Sequence, residues 1–152
     1  MRNDVLVGWL VGIAVTLAAC GAKTPAPEGP SGGSVDWKSM SAGQRLEHMK
    51  KVVAPKMKAV FQAFDAEEFK DFNCATCHGE GAKAGRFDMP NPELPRLSKV
   101  DGFKTHMDTH PRETRFMMDK VVPEMAAALG MQPYDPATHQ GFGCFDCHTE
   151  QK

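Results

Sequence analysis

The sequence has no strong excess of either charge and no long hydrophobic run. Its 18 Lys and Arg residues nearly balance its 19 Asp and Glu residues, which leaves a formal net charge of -1. A near-neutral chain lacks the basic field that nucleic-acid binding proteins use. The apolar stretch from Val5 to Ala18 is shorter than the roughly 20 residues that span a bilayer. We therefore expect no nucleic-acid partner and no membrane-spanning helix.

The sequence also lacks the alternation of apolar and polar residues that is typical of a β-strand. Apolar residues instead recur at three- and four-residue steps in two stretches, one after Ser41 and one after Pro111. Ser41, with Gln44 three residues later, has the pattern of a capping box, and Pro111 suits the first turn of a helix. The sequence therefore predicts an all-α fold.

The first twenty residues have the pattern of an export signal. Arg2 lies in a short polar head, an apolar stretch follows, and small residues precede Cys20. Residues 17–21 match the bacterial lipobox, in which the cysteine is lipidated and the chain is cut before it. We predict a signal peptide over residues 1–19 and a lipid anchor at Cys20 in a bacterial envelope membrane. A plain signal peptide or N-terminal anchor with an unmodified cysteine is the alternative, and it exports the domain equally.

The next segment is rich in proline, glycine and small polar residues. Such a composition buries too little apolar surface to fold, so we predict that residues 20–40 form the lipidated cysteine and a flexible tether. Residues 41–152 then form the folded domain, which faces the periplasm or the outer surface. A domain of this size often depends on a metal, a disulfide or a cofactor for stability.

Two segments of this domain share one pattern, Met-x-x-x-Val-x-Pro-x-Met, at residues 49–57 and 117–125. An aspartate follows each segment, Asp65 and Asp135, nine residues before a cysteine and in a position to cap a short helix. The agreement predicts a duplicated unit made of a helix, a short capped helix and a cysteine motif.

We place the two modules at about residues 41–85 and 111–150. The segment between them holds three prolines within residues 90–95. Proline has no N–H and disrupts helices, so we predict an extended loop over residues 87–95.

Four of the five cysteines lie in two Cys-x-x-Cys-His motifs, Cys74 to His78 and Cys144 to His148. In c-type attachment, both thiols of such a motif form thioethers with haem, and the histidine becomes the proximal iron ligand. The sequence therefore predicts two haem c groups, the first held by Cys74, Cys77 and His78, the second by Cys144, Cys147 and His148. Two other uses of these cysteines remain open. A zinc site would close with four cysteines, or with two cysteines and two histidines. A thioredoxin-like dithiol would form a disulfide within each motif.

The sixth iron ligand is predicted to be methionine, which raises the haem potential and suits electron transfer. The repeat favours Met57 and Met125, at 17 and 19 residues before their cysteines. The alternatives are Met49 and Met117, about two helical turns earlier in the same pattern, or Met89, or a histidine such as His106 or His110. We expect His48 and His139 at the surface.

A methionine on a helix, then a turn, then Cys-x-x-Cys-His, resembles the modules of the multihaem cytochrome subunit of bacterial photosynthetic reaction centres and its relatives. Residues 115–125 with the second motif carry the resemblance, as does Met57 with the first. The resemblance implies haems held between a methionine helix and a haem-motif helix, and a lipid anchor is common among those subunits.

Together these features predict a membrane-tethered dihaem cytochrome, with the duplicated modules wrapped around two haems. It would carry electrons between redox protein partners in the periplasm or cell envelope and would not be an enzyme by itself. The main alternative is a haem subunit of a peroxidase-like or respiratory oxidoreductase complex, in which one iron keeps an open or displaceable sixth position. A haem-based sensor or assembly module is a further alternative.

Overall fold

The computed structural model describes residues 35–151, and this part of the chain is helical, without β-strands beyond isolated bridges. The helical prediction is therefore confirmed for these residues. The helices are α1 Ala42–His48, α2 Ala54–Phe64, α3 Cys74–His78, α4 Lys104–Thr109, α5 Pro111–Phe116 and α6 Val122–Ala128. Within the same residues, no helix is long and apolar enough to cross a membrane. The predicted signal peptide, Cys20 and most of the predicted tether lie outside the described residues.

Two long helical stretches form the frame of the domain. α1 runs through a π-helical segment, Met49–Val53, into α2, and α5 runs through a second one, Met117–Val121, into α6. The first stretch begins as predicted, because Ser41 Oγ accepts from the Gln44 N–H at 3.3 Å and Gln44 Oε1 accepts from the Ser41 N–H at 2.8 Å.

Each π segment ends two residues before a proline of the repeat. The N–H of Ala54 donates to the carbonyl of Met49, and that of Val122 donates to the carbonyl of Met117, each across five residues. Pro55 follows at the second position of α2 and has no N–H to continue an α-helical ladder. A local π turn is a known way to accommodate such an interruption without ending the helix.

The core lies between the two stretches and is built around an aromatic cluster. Phe61, which is 5% exposed, lies with its ring centroid 5.1 Å from that of Phe116 on the other stretch. Its ring also contacts Phe69 at 4.9 Å and Phe72 at 5.1 Å, in the segment that leads to the first cysteine motif. One side chain thus joins both helical stretches and the approach to α3.

The aspartates of the repeat cap turns instead of the predicted short helices. Asp65 Oδ1 accepts from the Glu68 N–H at 3.0 Å, and Asp135 Oδ1 accepts from the Ala137 N–H at 2.8 Å. These hydrogen bonds hold the pKa of both carboxyl groups below the ordinary value. Helices of one or two turns are costly to nucleate, and the aspartate side chain offers the backbone a competing partner. The capping prediction is right, but the helices are absent there.

The domain includes residues that the sequence assigned to the tether. Trp37 packs against the core, and its carbonyl accepts from Arg45 Nε at 3.1 Å. The guanidinium of Arg45 also lies 5.3 Å from the centre of the Trp37 ring. A tryptophan gains much from burial, so packing of this one residue outweighs the flexible composition around it.

Candidate functional site

The first cysteine motif coincides with a short helix, α3 (Cys74–His78). Asn73 caps it, since its Oδ1 accepts from the Ala75 N–H at 2.8 Å, and Thr76 Oγ1 accepts from the Asn73 N–H at 3.1 Å. The helix ends at Gly79, whose φ of +68° favours glycine and whose neighbour is the Glu93 carboxylate. The two residues between the cysteines therefore also help to start the helix.

The second motif has the same hydrogen bond at its start. The Gly143 N–H donates to Asp146 Oδ2 at 2.7 Å, so Asp146 occupies the position that Thr76 holds in the first motif. Residues Cys144–Asp146 form a 3₁₀ turn instead of an α-helix, and the His148 N–H donates to the Cys144 carbonyl at 2.9 Å. Both motifs thus begin with an N–H bound by the side chain three residues later.

The proline-rich loop brings the two motifs together. The prediction that residues 87–95 are not helical is confirmed. Asn91 Nδ2 donates to the Cys77 carbonyl at 3.0 Å, and its backbone N–H donates to the Cys147 carbonyl at 2.9 Å. Further on, the Leu97 N–H donates to the Thr149 carbonyl at 3.0 Å. We call residues 91–97 the strap, because they bind the end of the first motif to the second.

The strap also fixes the ring of His148. Nδ1 of His148 lies 2.8 Å from the Pro95 carbonyl oxygen, which can only accept, so Nδ1 carries the proton. Nε2 of the neutral ring then has a free lone pair, as a metal-ligating imidazole requires. Burial lowers the pKa of His148, which favours this neutral form.

The ring of His78 is held differently. Its Nδ1 is buried without a hydrogen-bond partner, and the ring packs edge-on against Phe87 at a centroid distance of 5.4 Å. Burial lowers the pKa of His78 as well. Buried polar atoms without partners are uncommon and often mark the site of an ion, a water or a cofactor.

Burial also acts on the thiols of the motifs. It raises the pKa of Cys77 to about 11 and that of Cys147 to about 12, and it raises the pKa of Cys144. The neighbouring thiol of Cys77 adds to the effect on Cys147, in keeping with the approach of the two motifs. Thiols with raised pKa values are neutral near pH 7, unlike the activated thiolates of redox-active dithiols.

The four methionines of the repeat all belong to the core. Met57 is 3% exposed, while Met49, Met117 and Met125 are partly buried against the same cluster, which Cys147 also contacts. The structure thus brings the methionines and the second motif to one core. The assignment of Met57 and Met125 as iron ligands stays a prediction.

The remaining histidines fall into different environments. His106 Nε2 lies 3.0 Å from the Arg96 carbonyl, one residue beyond the carbonyl that binds His148, while His110 is exposed. His139 is exposed and contacts the Tyr134 hydroxyl, as expected of a surface residue. The prediction of a surface position is wrong for His48. Its half-buried ring lies against Trp37, and its Nε2 is 2.7 Å from the Ala128 carbonyl.

The residues of the motifs fit haem c in their chemistry. Each supplies two free thiols and a histidine with lowered pKa, and at His148 the protonated Nδ1 leaves Nε2 for iron. Among residues 35–151, no group of three or more His, Cys, Asp and Glu side chains is placed to hold a metal ion. A cleft of about 820 Å³ is lined in part by Asp146 of the second motif, and one of about 410 Å³ is lined by residues outside both motifs.

Sequence reasoning missed the residues that hold the motifs in place. Thr76 and Asp146 could have been found, because each stands three residues after a capping position. Asn91 and Pro95 lie in an irregular loop without periodicity, and their partners are distant in sequence. Comparisons with known proteins add nothing here, since no family model, curated protein or solved structure matches the chain.

Proposed function

We propose that this protein is an exported dihaem c-type cytochrome that carries electrons between redox proteins of the bacterial envelope. The observation that supports it most is the pair of Cys-x-x-Cys-His motifs, with the same hydrogen bond at the start of each and the strap holding both. The matched π segments support the further proposal that two related modules hold the haems.

In this proposal each residue of a motif has a defined task. The haem, when bound, supplies one-electron chemistry between ferrous and ferric iron. Cys74, Cys77, Cys144 and Cys147 attach the two groups, and His78 and His148 provide the proximal nitrogens. The Pro95 carbonyl orients the His148 ring by accepting a hydrogen bond from its Nδ1–H. The raised thiol pKa values favour this function over a dithiol exchange site, which needs a stabilised thiolate.

The direct test is the haem content of the exported protein. Mass spectrometry should show the mass of two haems added covalently to each chain, and the pyridine haemochrome spectrum should have the α-band of haem c. The protein should be produced in a host that matures c-type cytochromes. Bound zinc without haem would overturn the proposal.

The distal ligands give a second prediction. If Met57 and Met125 bind the irons, Met57→Ala and Met125→Ala should each remove part of the weak near-infrared sulfur-to-iron absorption, and the altered haem should bind carbon monoxide. The unaltered protein should bind none, which separates an electron carrier from a peroxidase-like subunit.

Met49→Ala and Met117→Ala are the matched controls from the same repeat. Both should lower the free energy of unfolding by no more than the roughly 2 to 5 kcal/mol that truncation of a buried methionine costs, and both should leave the near-infrared band unchanged. A spectral change that follows Met49 and Met117 instead would move the ligands to the other pair. If no methionine variant changes the band, a histidine such as His106 becomes the candidate.

A third prediction concerns the anchor, which lies outside the described residues. Cys20→Ser should abolish labelling of the protein by a radioactive fatty acid, because serine cannot form the thioether that carries the lipid. The folded domain should still acquire its haems, since they attach at other cysteines. Labelling that persists in Cys20→Ser would show that the lipobox interpretation is wrong.

A further inference from the structure

Asn91 is a buried polar side chain at the point where the two motifs meet. It is 3% exposed. Its Nδ2 donates to the Cys77 carbonyl at 3.0 Å, its N–H donates to the Cys147 carbonyl at 2.9 Å, and its Oδ1 accepts from the Glu93 N–H at 2.9 Å. Three hydrogen bonds therefore fix one residue between two motifs.

The chemistry of these three bonds selects asparagine. The Cys77 carbonyl needs a donor and the Glu93 N–H needs an acceptor, and the two ends of one amide supply both. Aspartate keeps the acceptor but has no N–H, and alanine has neither. A flipped amide would place oxygen against oxygen and N–H against N–H, so the hydrogen-bond network determines its orientation.

The two carbonyls that Asn91 binds occupy equivalent places. Each belongs to the second cysteine of a motif, directly before the proximal histidine. Residue 91 also begins the strap, whose Pro95 carbonyl holds the ring of His148. One residue outside both motifs therefore binds to each of them, through its side chain at Cys77 and through its backbone at Cys147.

We propose that Asn91 is a positioning residue that sets the distance, and hence the electrostatic interaction, between the two haem sites. This inference rests on the proposed function. A haem bound at either motif would gain one positive charge on passing one electron to a redox partner, or to the chemical oxidant in a titration, without a bond being formed or broken. That charge makes removal of an electron from the other haem harder, by an amount that falls with distance.

The test measures this interaction by redox titration followed in the haem absorbance. Single-haem proteins are made with Cys74→Ala and Cys77→Ala together, or Cys144→Ala and Cys147→Ala together, which keep the carbonyls that Asn91 binds. The sum of the redox titration curves of these two proteins is the curve expected for two haems that do not interact. The two-haem protein should titrate over a wider span than this sum, and the excess measures the interaction.

Asn91→Ala and Asn91→Asp should each remove at least half of this excess while both haems stay attached. Asp is the milder change, because it retains the size of the side chain and the acceptor for Glu93. Its added charge affects the one-haem and two-haem proteins alike and cancels in the comparison. Val53→Ala, a core truncation outside the strap and the motifs, should lower stability and keep the excess.

The outcomes distinguish this inference from the proposed function. A protein without haem ends both. Two attached haems with no excess in the unaltered protein would overturn the role of Asn91 and leave the function standing. An excess in Asn91→Asp equal to that of the unaltered protein would also overturn the role of Asn91 and leave the function standing. Loss of the excess in Val53→Ala as well would show that general destabilisation, and not the side chain of Asn91, is responsible.

Discussion

Replacing Cys74 and Cys77 together by alanine should reduce the covalent haem content from two groups per chain to one. Alanine removes both thiols but keeps the backbone. The hydrogen bond from Asn91 to this motif is retained, because its acceptor is the backbone carbonyl of residue 77. The second motif should therefore still be held by the strap and should still attach its haem. Mass spectrometry of the exported protein, with the pyridine haemochrome as a second count, measures the change.

The matched variant replaces Cys144 and Cys147, and it should also leave one haem, at the other motif. Thr76→Ala is a useful control, because it removes the hydroxyl that accepts from the Asn73 N–H but no thiol. It should keep two haems and lose about 1 kcal/mol of stability. If both motifs must be intact for either haem to attach, each double variant would be devoid of haem, and independent attachment would be wrong.

Phe61→Ala should lower the free energy of unfolding by about 3 to 5 kcal/mol, the usual cost of truncating a buried aromatic side chain. Phe61 is 5% exposed, and its ring contacts Phe69, Phe72 and Phe116. Its loss leaves a cavity that faces both helical stretches and the approach to the first motif. Urea unfolding of the purified protein, followed by circular dichroism, gives the change.

Val52→Ala is the control in the same helical stretch, since Val52 is 44% exposed. Its effect should stay within about 0.5 kcal/mol, as for most surface substitutions. A loss below about 1 kcal/mol in Phe61→Ala would contradict the central place of this ring in the core. The haem content of Phe61→Ala should be recorded as well, because Phe72 stands two residues before Cys74.

The sequence predicted the helices well where local rules decide the structure. Ser41 and Gln44 form their capping box, and a helix begins at Pro111, because these signals act over a few residues. The apolar spacing after Ser41 also predicted a helical stripe, and two of its members, Val53 and Met57, are buried in the core.

The arrangement of the candidate site was less accessible. The contact of Asn91 with Cys77 spans 14 residues, and that of Pro95 with His148 spans 53. No periodicity marks such contacts, because irregular loops are fixed by tertiary packing and by the need to satisfy buried polar groups. The motifs identify the candidate thiols and histidines from the sequence alone, but only the fold shows that the two motifs lie side by side.

Other differences have physical causes of the same kind. Trp37 folds onto the domain because one large ring outweighs the composition of its neighbours. The segment after Asp65 forms successive turns because the aspartate side chain binds a backbone N–H that a helix would have used differently. In each case one side chain determines the local structure, which the average composition of the segment does not predict.

The π segments determine how the helices respond to a change of length. Met49 and Met57 are eight residues apart, which in a regular α-helix is about 80° beyond two full turns. A π turn takes up one additional residue, so the two side chains return to within about 20° of one line. Deleting one residue from Met49–Val53 would leave seven residues of regular α-helix between these side chains, which is also within about 20° of two full turns. The deletion should therefore keep α1 in phase and leave His48 near the Ala128 carbonyl. The π segment therefore absorbs one additional residue without changing the face that this helix presents to the core.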